Sequence, residues 1–145
     1  MTVPAASLYD VSLAIHQVAG LVLILVAVAL TVISVLARKN EELIERGIPL
    51  TQLAGVAFIV VLITGAYQLI DAGTSFFQAW VIGALLLGIG FIGTMHGTWR
   101  PTAKKIASGE LSGEALEKAK QTAVGVSAAM IVMVVVATYL MENNV

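Results

Sequence analysis

VSLAIHQVAGLVLILVAVALTVISVLA, residues Val11–Ala37, contains no Asp, Glu, Lys or Arg. A helix needs about 20 apolar residues to cross a hydrocarbon layer about 30 Å thick, so this run can span a membrane. Three further uncharged segments, Ile48–Ile70, Ala72–Trp99 and Gln121–Met141, also meet that length. The first and third are longer than needed, so tilt or interfacial extension is expected there. Hydrophobic residues make up 59% of the 145 positions and charged ones 12%. A soluble domain carries about twice that charged fraction, and mean hydropathy is +0.95. An ordinary soluble core is excluded. The expected fold is all-α: a polytopic membrane protein forming one antiparallel bundle of four transmembrane helices over residues 1–145. The helices are placed at about 8–37, 50–70, 76–99 and 113–141.

Charge placement orients that bundle. All eight Lys and Arg fall in two stretches: Arg38, Lys39 and Arg46, then Arg100, Lys104, Lys105, Lys118 and Lys120. Orientation follows Lys and Arg in short loops, so loops 38–49 and 100–112 are expected to be cytoplasmic, with both termini on the opposite side. Met1–Asp10 lacks a basic region and the uncharged run is too long for a cleavable signal peptide. Gly47-Ile-Pro49 is expected to break the chain before the second helix. Gly73 in "DAGTS" supplies the outer turn. Pro101 restricts Arg100 to extended conformations and is expected to end the third helix.

Small residues suggest how the helices meet. Gly93 and Gly97 form a GxxxG pair, with Gly90 beside them, and Gly125/Ala129, Gly65/Ala66 and Ala19/Gly20 are counterparts on the other helices. Such positions let backbones approach closely, so helix packing is expected there; a glycine-lined gap for a flat cofactor is the other reading.

Polar groups inside the membrane mark function or helix pairing. His16 lies eight residues outward of the first span's centre, roughly 12 Å toward the outer face. His96 lies about ten residues inward of the third span's centre, which puts roughly 25 Å between the two histidines. Metal–nitrogen bonds are about 2 Å long, so the pair cannot ligate one iron or copper within a subunit. Around His16 and Gln17, the outer level holds Tyr67, Gln68, Asp71, Phe76, Phe77, Gln78, Trp80 and Tyr139. That set suits either an interfacial aromatic belt with a helix-clamping histidine, or a site for a haem edge, a quinone carbonyl or a cation. The inner level holds Thr94, His96, Thr98, Trp99 and Arg100, with Thr51, Gln52, Gln121 and Thr122 at similar depth. Arg100, Lys104 and Lys105 would meet anionic headgroups. Met130 and Met133, three residues apart, are candidate soft copper ligands and equally ordinary helix filler.

Other chemistry is missing from the sequence. The chain has no cysteine, hence no disulfide or thiolate site. It has no HExxH, phosphate loop or GxSxG, and no acidic residue at mid-membrane depth for a proton or cation pathway. No feature points to nucleic acid.

"IHQVAG" early in the first helix, "TGAYQL" ending the second and "MHGTWRPTAKKIASGE" closing the third resemble one superfamily of small four-helix bacterial membrane proteins. It includes the HemJ-type protoporphyrinogen oxidases, the copper-resistance D-type domains and related proteins of unassigned function, and this chain is most similar to the last group. The resemblance implies a bacterial or archaeal inner membrane. In the HemJ type a first-helix histidine is implicated in haem b binding, which His16 matches. A third-helix lysine important for activity has no counterpart in "FFQAWVIGALLLG". The expected role is therefore a redox-accessory or complex subunit, with haem b held by His16 as metal ligand and Tyr67 and Gln68 beside it. A HemJ-type enzyme and a purely structural subunit of a homo-oligomer or larger membrane complex are the alternatives.

Overall fold

A computed structural model describes residues 6–143, all-helical with no strand among them. In chain order the elements are α1 (Ala6–Ala37), a 3-10 helix (Glu41–Gly47), α2 (Ile48–Asp71), α3 (Ala79–Thr94), a π-helical segment (Met95–Trp99), α4 (Arg100–Ser108) and α5 (Gly113–Asn143). Four stretches are long and apolar enough to cross a membrane: Leu8–Ala37, Glu41–Asp71, Ala79–Ser108 and Gly113–Asn143. α1 packs on both α2 and α5, and α3 packs on α5, whereas α2 and α3 touch only thinly. Large apolar side chains cover the outside of all four, as in Val18, Ile63, Leu86 and Val132, each more than 60% exposed.

The boundaries follow local chemistry. Pro49 occupies the first turn of α2, where its missing N–H costs nothing. At the other end Gly73 takes φ +64, and Thr74 N–H reaches back to Leu69 O at 2.9 Å, a left-handed glycine stop. The third helix begins at Ala79 rather than Phe76, because Ser75 Oγ accepts the Phe77 N–H (3.2 Å) and holds a local turn.

Its inner end departs further from expectation. Instead of stopping before Pro101, the helix continues through it to Ser108, so the inner loop shrinks to residues 109–112. Arg100 is helical, at φ −62 and ψ −47, not extended. The physical reason is the π segment just before it. Arg100 N–H bonds to Met95 O, one residue further back than in an α-helix. That wider turn absorbs the clash a proline ring makes with the preceding turn. Gly109, at φ +75, then terminates α4.

The stretch 38–49 is likewise no simple connection. Its 3-10 helix buries Ile44 and Gly47 while leaving Glu41, Glu42 and Glu45 exposed. Trp99 fills the space beside it, fully buried. A methyl group on Gly47 would lie 2.4 Å from the Trp99 ring, so only glycine fits. Trp99 Nε1–H donates to Ser34 Oγ (3.0 Å), and Ser34 Oγ donates to Leu30 O (2.6 Å). Lys120 Nζ ties α5 to this end through Glu41 (3.1 Å), Glu117 (3.5 Å) and Arg38 O (3.4 Å).

Candidate functional site

His16 on α1 and His96 in the π segment both turn toward α2, and each meets it at a glycine. A methyl group on Gly65 would lie 3.1 Å from His16 Cε1; one on Gly55 would lie 3.8 Å from His96 Cε1 and Nε2. Those glycines are ten residues apart on one helix, so the imidazoles are separated by about 15 Å along it. This is less than the span-centre estimate, because the third helix runs on to Ser108 and its centre moves toward His96. The distance is still far too long for both to ligate one metal.

Each ring is hydrogen-bonded through Nδ1. His16 Nδ1 lies 2.9 Å from Thr64 Oγ1, and Thr64 Oγ1 in turn lies 2.7 Å from Val60 O. A neutral His16 ring donates Nδ1–H to Thr64 in one tautomer and accepts the threonine proton in the other. In the first tautomer Nε2 carries the lone pair, the pattern of a metal-ligating histidine whose other nitrogen is anchored by a polar partner. One turn before it, Ser12 carries a buried Oγ with no hydrogen-bond partner among the described residues, while Ser12 O accepts from Gln68 Nε2 (3.4 Å). Together Ser12, His16, Thr64 and Gln68 join α1 to α2.

Not all of the expected outer level converges. Tyr67 is half-buried on α2 beside Gln68 but makes no hydrogen bond among the described residues. Gln17, Asp71, Phe76, Phe77 and Tyr139 are exposed, and Gln78 bonds to its own neighbour Trp80. Thr64 and Ser12 are the residues that sequence reading missed. The available signal was the Thr64-Gly65 pair itself, a hydroxyl beside a gap one turn before Gln68.

At the inner level His96 Nδ1 lies 3.2 Å from Ile92 O, so it donates within its own helix and Nε2 again keeps the lone pair. Trp99 and Thr51 belong to the buried core, and Thr98 and Gln121 are exposed. Met130 is fully buried, and Met133 places its sulfur 3.6 Å from where a Gly90 Cβ would stand. Among the described residues nothing lies within 4 Å of a Cβ added at Gly93, Gly97 or Gly125, so the GxxxG pair itself is not covered by a neighbouring helix of the described chain.

Two cavities away from the histidines are described by their linings. An apolar groove of about 400 Å³ between α1 and α2 is lined by Val18, Val22, Val56 and Val60 among others. A cavity of about 560 Å³ near the 3-10 helix is lined by Glu41, Glu42, Glu45 and Ile106 among others. Among the described residues no three His, Cys, Asp or Glu side chains gather as a metal cluster. No family model, curated protein or solved structure matches this chain.

Proposed function

We propose that this chain is a multi-pass protein of a bacterial or archaeal inner membrane, an antiparallel bundle with both termini outside, serving as a redox-accessory or complex subunit that holds b-type haem through His16. The carrying observation is the His16–Thr64–Val60 hydrogen-bond chain, which holds the imidazole by Nδ1, so that in the Nδ1–H tautomer Nε2 would be the ligand atom. His16 would hold the haem iron, and the Ser12 hydroxyl, which has no partner among the described residues, would with Gln68 hydrogen-bond its polar groups. These residues suit that group better than a bare ion, since among the described residues no further ligating side chains gather at His16. Bound haem would supply one-electron redox chemistry; the chain's own part would be to hold and orient it through His16 and Thr64.

The membrane reading is supported by four apolar spans, their exposed aliphatic coats and the confinement of Lys and Arg to two stretches. His16 is half-buried on α1, so a flat group there would be covered in part by lipid or by a partner subunit. The open Gly93/Gly97 face favours a second reading, a structural subunit of a homo-oligomer or larger complex whose partner helix packs on that face. The resemblance to HemJ-type proteins enters this proposal only at His16, since the matching lysine is missing. An absorption spectrum of protein purified in mild detergent tests the haem reading: a Soret band is expected, and protein without a cofactor band would favour the structural subunit. Cysteines introduced at positions 40 and 108 test topology, with labelling expected only from the cytoplasmic side.

A further inference from the structure

Arg100 is the first charge after the uncharged run Ala72–Trp99. Its Nε is shielded from solvent and has no hydrogen-bond partner among the described residues. Nor is it ion-paired among them, since the carboxylates in salt bridges there are held by Lys120. A half-buried guanidinium left without an anion is costly, and its rigid fork matches phosphate with paired charge-assisted hydrogen bonds. His96 lies four residues before Arg100 and Lys104 four after, so the three follow one flank of the helix. That flank faces α2, because His96 meets Gly55 and α4 touches α2. The Cε1–Nε2 edge of His96 faces Gly55, whose missing side chain keeps α2 from crowding Nε2, and Nδ1–H is already committed to Ile92 O.

We infer that Arg100 and Lys104 bind a phosphate group beside α2 at the α3–α4 junction, while His96 Nε2 accepts a hydrogen bond from a hydroxyl or ammonium of the molecule that carries it. The π segment sets this register, since it rotates Arg100 relative to an unbroken helix and keeps the chain helical past Pro101. The same chemistry fits a phospholipid headgroup or a free phosphate. The lipid source rests on the proposed membrane topology; the phosphate site itself does not, and it is independent of haem at His16.

The test titrates full-length protein in mild detergent with phosphatidylglycerol in mixed micelles and, separately, with inorganic phosphate, read by phosphorus NMR. Saturable binding of at least one probe is expected; saturation by the lipid alone assigns a headgroup, and saturation by inorganic phosphate assigns a site that needs no lipid. Arg100→Gln should weaken binding about tenfold or more, whereas Lys118→Gln should leave it unchanged. Arg100→Lys keeps the charge without the fork and should weaken binding several-fold, which decides the matter if the glutamine variant fails to fold. Failure of both probes to saturate, wild-type binding by a folded Arg100 variant, or equal loss in Lys118→Gln would overturn the assignment.

Discussion

The two histidines meet the same helix in the same way and are held by different means. His16 is fixed across helices: its Nδ1 is hydrogen-bonded to Thr64 Oγ1, which is anchored to Val60 O. His96 is fixed by the carbonyl of Ile92 on its own helix. The outer ring therefore couples its own orientation to the packing of α1 on α2, whereas the inner ring keeps its orientation if α2 shifts. The glycines match this difference, with 3.1 Å of clearance for an added methyl at Gly65 and 3.8 Å at Gly55. Below His96 lies a dense core built on Trp99, Ser34 and Gly47; among the described residues nothing comparable is buried around His16.

Substitutions can break this contrast in order of size. Trp99→Ala, emptying a fully buried site at the inner end, should lower stability in detergent by about 3–5 kcal/mol. Gly65→Ala forces a methyl against His16 and should cost about 1–3 kcal/mol, since packed sites resist even small additions. Thr64→Val keeps the shape and removes the hydroxyl relay, costing about 1 kcal/mol and loosening any ligand held by His16. Gly55→Ala meets ordinary van der Waals space and should change stability by no more than about 0.5 kcal/mol. Thermal unfolding of the four purified variants ranks them. Equal costs for Gly65→Ala and Gly55→Ala would erase the distinction between the two notches.

The four spans and the Gly73 turn were legible in the sequence because each depends on local chemistry: charge-free length and a positive φ. The break expected at Gly47-Ile-Pro49 is absent, since Gly47 and Ile48 are both helical and the 3-10 helix runs straight into α2, whose first turn accepts Pro49. The passage through Pro101 was not legible. A proline reads as a helix end unless the turn before it widens, and nothing in "MHGTW" announces a π segment. The candidate site was half legible. His16 and Gln68 stood out as polar groups at one depth, and both join α1 to α2. Thr64 did not, because a threonine in an apolar helix ordinarily bonds back to its own carbonyls, as it also does here. Only the register of α1 against α2 turns it into a partner for His16. The GxxxG pair misled for the mirror reason: its spacing permits close packing, but among the described residues no helix packs against Gly93 and Gly97.

The claim that His16 alone among the histidines holds haem is tested most directly by adding haem to purified wild-type, His16→Ala and His96→Ala proteins and recording the Soret region. The account predicts a saturable band in wild type and His96→Ala that is lost in His16→Ala. A band that survives in His16→Ala, or disappears only in His96→Ala, would contradict it.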